Sequence, residues 1–218
     1  SVGAVGVSVS GAGAGAINTI TTDVKAFIEG DGSTGIQAGS VTLKAEDTSK
    51  ISAVTGAATL AAAVGAVGVG VSIGVAGAYN VISNDIAAFI DNADNGVKTT
   101  GSGAITIEAK EAATINALTT AASFGAGFGL AGVAVSGAGA TATNIILTKT
   151  NAYVTDSKLV SSGDVVLKAS DTSTINAVVA ASSAAIAGGA VGVGVSFGVS
   201  VARNLIGWDL FGNNTSAQ

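Results

Sequence analysis

The chain has 218 residues, 32 of them Gly and none Pro, Cys, Met or His, and its formal net charge is −5. Without His or Cys it has no imidazole base, no thiolate nucleophile and no ordinary zinc or copper ligand set, and an acidic chain is a poor match for a nucleic-acid surface. Ala and Val supply most of the apolar residues, so any core is thin and its backbones lie close together.

Ser1 runs straight into VGAVGVSVS with no basic leader, so the sequence reads as a mature product or as a piece of something longer. The first element, GVSVSGAGAGAIN (6–18), places Ser10 eight residues before Asn18. The block AFI (26–28) follows, then the glycine-bearing turn GDGSTG (30–35) and an alternating segment, GSVTLKAEDTSKI (39–51). In that segment Val41, Leu43 and Ala45 point one way and Thr42, Lys44 and Glu46 the other, as in a strand with one solvated face.

A passage near 61–66 turns the chain back, and the same series starts again. It reads GVSIGVAGAYN (70–80), AFI (88–90), the turn DNADNG (91–96) and GAITIEAKEAATI (103–115). The third round reads AVSGAGATATN (134–144), AYV (152–154), a corner at Ser161-Ser162-Gly163 and GDVVLKASDTSTI (163–175); the fourth begins with GVSFGVSVARN (194–204). The chain thus reads as one array over 1–206, with copies at approximately 1–62, 63–126 and 127–188 and a partial copy at 189–206. The stretch 207–218, which holds the only Trp, departs from the pattern and reads as a cap or a tail.

Within each apolar run the period is two. Val67, Val69, Val71, Ile73 and Val75 alternate with Gly68, Gly70, Ser72, Gly74 and Ala76. That spacing sorts large and small residues onto opposite faces of a strand and would scatter them around a helix. The expected fold is therefore all-β and elongated, a β-solenoid or stacked β-sheets, with three repeats of about 62 residues plus a partial fourth. The bulky face is expected to fill the core and the small face to form tight seams. A period this long suggests two or three coils per repeat, or a hairpin plus a crossing strand. Residues 1–22, 51–84, 112–148 and 172–202 carry no charged side chain. These runs are long enough for membrane helices, but they alternate as strands do and lack basic flanks and aromatic belts.

Asn18, Asn80, Asn144 and Asn204 recur at one place in each copy, which points to a structural role, either stacked side chains along a fibre axis or strand ends. Asp91, Asp94 and Asn95 offer oxygen ligands beside a glycine, and calcium is the cation such a set would suit. The third copy has a poorer set at that place, so a solvated turn is the favoured reading and no cofactor is expected. The triplets beginning at Asp47, Glu111 and Asp171 read as an exposed edge or corner, and Phe27, Phe89 and Tyr153 as core. Gly-rich runs without a following GK[ST] are not phosphate loops.

The series GVGVSIGVAGAYNVISNDIAAFID, a glycine turn, and VVLKASDTSTINAVVAASS resembles the repeats of giant bacterial filamentous adhesins, similar to the fusobacterial leukotoxin family and other β-strand-repeat surface proteins. The resemblance runs to about Ile206. It implies an exported, β-rich stalk at the bacterial cell surface or in a biofilm, with cell-surface or other bacterial surface proteins as partners. The functional expectation is a secreted, non-enzymatic structural and adhesive module. It has no small-molecule substrate and no nucleic-acid partner, and it associates with itself head to tail. The alternative is a membrane-inserting β-barrel or pore, with the valine stripe facing lipid.

Overall fold

A computed structural model describes residues 1–208, so Gly207 and Trp208 are the only residues of the atypical 207–218 stretch within it, and Trp208 is exposed. Every regular element among the described residues is a strand. They are β1 (Val2–Glu29), β2 (Ile36–Ala38), β3 (Val41–Asp47), β4 (Lys50–Asp91), β5 (Val97–Thr99), β6 (Ile105–Glu111), β7 (Thr114–Phe128), β8 (Ala131–Thr155), β9 (Leu159–Val160), β10 (Val165–Asp171), β11 (Thr174–Gly188) and β12 (Val191–Ile206).

All pairings are parallel and join equivalent residues of successive repeats. β1 lies on the second half of β4, which lies on β8, which lies on β12. The first half of β4 lies on β7, and β7 on β11. Two three-stranded sheets complete the circuit, β3-β6-β10 and β2-β5-β9. One repeat is therefore one coil of a parallel β-solenoid, which corrects the expectation of two or three coils. The arms are simply long: β8 has 25 residues and β11 has 15, so a single circuit absorbs the whole period.

Each coil is a flattened loop. A front arm (β1, the second half of β4, β8, β12) runs from a narrow tip to a wider base. At its end the chain takes a left-handed conformation in all three complete coils, at Gly30 (φ 74°), Asn92 (φ 54°) and Asp156 (φ 43°). These are the residue types that tolerate positive φ at least cost. The short strands β2, β5 and β9 close the base. The chain then returns through β3, β6 or β10 and through a return arm (the first half of β4, β7, β11) to the tip. It folds back there at 65–66, 129–130 and 189–190, near the expected places, and β4 rounds the first of these bends without a break.

The core has two thicknesses. At the base, Ile86, Ile90, Val97, Ile105 and Ile107 meet inside the loop, joined higher up by Ile82, Ile115 and Ile146. Each such side chain contributes on the order of 1.5–3 kcal/mol by leaving water. Toward the tip the two arms form a thin blade whose inside holds mostly Ala, Gly, Ser and Thr, such as Ala57, Ala76, Ala121 and Ala138, with Val179 packed against them. A Cβ at Gly74 would stand 2.8 Å from the Ala122 carbonyl oxygen of the facing arm, and one at Gly125 2.7 Å from that of Val135.

This reverses the expected sidedness of the blade. Its small residues are inside, and its valines are outside: Val9 is 74% exposed, Ile73 49%, Val75 52% and Val195 52%. Both arms carry their Gly, Ala and Ser on the inner side, and two such faces approach closely because little side-chain bulk stands between them. Phe27, Phe89 and Tyr153 are likewise not core. They form an outward stack with ring centroids 5.2 and 4.9 Å apart and planes within 8° of parallel.

Candidate functional site

The interior is organised as rows of identical groups running from coil to coil. The asparagine row is continuous. Asn18 Nδ2 donates to Asn80 Oδ1 at 2.8 Å, Asn80 Nδ2 to Asn144 Oδ1 at 2.8 Å, and Asn144 Nδ2 to Asn204 Oδ1 at 2.9 Å. Asn80 and Asn144 are completely buried. Each central amide is satisfied by its neighbours, which a buried amide requires. The row is directional: an acceptor oxygen is left over at Asn18 and a donor nitrogen at Asn204.

A hydroxyl thread runs through the blade. Ser72 donates to Thr59 at 2.8 Å, Ser136 donates to Ser123 at 2.8 Å, and Ser123 donates to the Ser72 carbonyl at 2.8 Å. Thr55 and Thr119 pair at 3.1 Å. The serine bonds tie front arm to return arm where no large side chain can, and the threonine pair joins successive coils of the return arm.

The third row is acidic. Asp47, Glu111 and Asp171 occupy one position in successive coils, where β3, β6 and β10 end. The expected exposed corner is corrected here, because Glu111 is completely buried. The position is a corner, but its side chains point in toward the front arm. Asn84 Nδ2 donates to Asp47 Oδ2 at 2.9 Å and to Glu111 Oε1 at 3.3 Å. Asp47 also accepts from the Ser49 amide, and Asp171 from the Thr148 hydroxyl and the Ser173 amide. Glu111 Oε2 has no hydrogen-bond partner. Burial, reinforced by the Asp47 and Asp171 carboxylates, pushes the Glu111 carboxyl up to about 7 against the pull of Asn84. The buried carboxyl has no open face for a substrate. On the outside of the same sheet Lys44 and Lys110 flank Glu46 at 2.8 and 2.9 Å and hold its carboxyl down at about 2.

The candidate calcium ligands lie in coil-to-coil turn contacts. Asp91 accepts from Asn92, Asn95 Nδ2 reaches the Gly32 carbonyl at 2.6 Å in the coil before, and Asp94 and Asn95 face solvent. Among the described residues no three Asp, Glu, His or Cys side chains gather closely enough to hold a metal ion. A surface groove of about 380 Å³ crosses the front arms between Thr21, Asp23, Asp85 and Lys149, with no aromatic side chain in its lining.

The chain matches no family model, no curated relative and no solved structure. Function therefore rests on the geometry of these rows. Sequence reasoning missed the burial of Glu111. The available signal was Asn84, a polar residue on the same strand side as Asn80 and Ile82, which places an amide donor inside the loop opposite a recurring acid.

Proposed function

We propose that the chain is a structural and adhesive module of an extracellular bacterial fibre, a slice of β-solenoid that other slices continue. The observation that carries this reading is the directional asparagine row together with the strands that bear it. Asn204 offers a spare donor and Asn18 a spare acceptor at opposite ends, in strands of matching sequence. Set end to end, Asn204 of one copy meets Asn18 of the next, and Val191, Val193, Val195 and Ser196 meet Val5, Val7, Val9 and Ser10. These are the pairings that β4 and β8 already make within the chain. Among the described residues the two front-arm edges are also poor in charge. β1 carries no charge before Asp23, and β12 carries only Arg203, whereas edge strands that avoid pairing usually bear charges or proline. Export and the cell surface come from the resemblance of the repeats to filamentous adhesins.

A lipid-facing barrel or pore has less support. The interior of the blade is packed with Gly, Ala and Ser side chains and leaves no lumen, and an open strand edge in lipid leaves backbone groups unpaired. Electron microscopy of the purified chain over a range of concentrations tests the fibre reading. Rods with a layer spacing of about 4.8 Å that lengthen with concentration are expected. Particles that stay one chain long at the highest concentration reached would overturn it.

A further inference from the structure

The outer face of the front arms is a flat apolar lattice. Three of its rows are valine in every coil or nearly so: Val7, Val69, Val133 and Val193; Val9, Val71, Val135 and Val195; and Val5, Val67 and Val191, with Ala131 in the third coil. The next rows alternate. Gly11, Ile73, Gly137 and Phe197 form one, and Gly13, Val75, Gly139 and Val199 the other. Coils one and three are thus hollow where coils two and four are raised. Space is open above Gly139, and above Gly11 and Gly13 only a backbone oxygen comes near, at 3.9 Å; the Phe197 ring leans over Gly137.

We propose that this face is an interface with a second copy of the same chain, related by a two-fold axis along the strand direction that reverses the order of the coils. The reversal sets coil one against coil four and coil two against coil three. Val75 of each copy then enters the hollow at Gly139 of the other, and Val199 enters the hollow at Gly13. The valine rows meet valine rows, tip against tip and base against base. Near the base the same operation places Asp85 opposite Lys149 twice, since those residues hold one position in coils two and three. The other two-fold, along the fibre axis, would lay the charged base of one copy on the valines of the other.

The size of the face fits. About twelve residues at 3.3 Å along the strand by four strands at 4.8 Å gives roughly 750 Å², close to the roughly 800 Å² per partner that specific complexes bury. An uncharged apolar area of that size on a soluble chain marks an interaction surface, and an isologous contact requires a self-complementary face. This lateral pairing goes beyond the fibre reading and does not depend on whether ends stack.

The chain has no cysteine, which makes a cross-linking test clean. Val71→Cys and Val135→Cys chains are prepared separately, then mixed and oxidised. Covalent pairs are expected from the mixture and not from either chain alone, because coil two faces coil three. End-to-end stacking does not produce this link, since both residues lie in interior coils. In the wild-type chain sedimentation should show pairs. Val71→Lys should weaken pairing at least about tenfold, with an unchanged β circular-dichroism spectrum. Three results would overturn the proposal: wild-type chains that remain single at all concentrations, Val71→Cys chains that link to themselves, or flotation with phosphatidylcholine vesicles in the absence of pairing. Loss of long rods with retention of pairs would sink the fibre reading alone.

Discussion

Among single residues, Glu111 has the clearest energetic signature. Its carboxyl is buried between two others and titrates near 7 in the folded chain, whereas an exposed glutamate titrates near 4.3. The folded state therefore binds more protons than the unfolded state between those values, and stability falls as pH rises through that window. The full penalty, roughly 4 kcal/mol at 1.36 kcal/mol per pH unit, is present above pH 7. Glu46 works in the opposite direction, since its lowered carboxyl stabilises above the unfolded value and loses that contribution as pH falls toward about 2. Thermal melts should accordingly show a higher midpoint at pH 5 than at pH 8. Glu111→Gln, which can donate to Asp47 without charge, should raise the midpoint at pH 8 and flatten the difference. A melt of the variant that keeps the wild-type pH slope would show that another group sets it.

The asparagine row gives a second residue-scale prediction. Asn80 serves both neighbours, so Asn80→Ala strands the Asn18 donor and the Asn144 acceptor and leaves a gap. Asn18 serves one neighbour and lies at the edge. With a buried orphan costing about 1–3 kcal/mol, Asn80→Ala should destabilise by about 2–4 kcal/mol and Asn18→Ala by about 1. Equal losses in denaturant titrations would mean that the row is decorative.

At the scale of the element, the blade works because its facing strands lack side-chain bulk. A Cβ at Gly70 would collide with the Ala126 carbonyl of the opposite arm, while one at Gly139 meets nothing. Gly70→Ala should therefore destabilise the single chain by several kcal/mol, and Gly139→Ala should be neutral or mildly stabilising to it, because glycine is the poorer strand residue, while weakening the pairing in which Val75 enters that hollow. Comparable effects in chemical denaturation would contradict the close approach of the arms. Strand identity and repeat period were legible in the sequence from alternation and from the asparagine spacing. The sidedness was legible too, but from different residues. Asp85 lies on the same strand parity as Val67, Val69 and Val71, and Asn80 and Asn84 on that of Gly68 and Gly70, so the charged parity marks the outside. Valine alone argued the other way, because hydrophobicity ranks what prefers to be inside without stating how thick the inside is. The number of coils per repeat was not legible, since strand length depends on where the chain bends, and β4 rounds its bend at Gly65-Ala66 without a break in the strand, marked only by a switch of the buried positions from odd to even.

On the scale of the whole molecule, the geometry makes this chain a shallow slice whose long dimension lies across the coil axis and not along it. Three and a half coils at about 4.8 Å each rise only about 17 Å along the axis, while a 25-residue front arm at 3.3 Å per residue spans about 80 Å across it. A body roughly 80 Å long and 20 Å thick in its other directions has a radius of gyration near 25 Å, whereas a compact chain of this length would have one near 17 Å. Small-angle scattering at concentrations where sedimentation shows single chains should return the larger value, and a value near the smaller one would mean that the arms fold over instead of extending. The same proportions explain why stacking matters. A slice this shallow exposes two long front-arm edges for little height, so each added slice covers one such edge and offers another. Any rod built this way lengthens without reaching a natural stopping size, as heterologous contacts do when no rotation closes them.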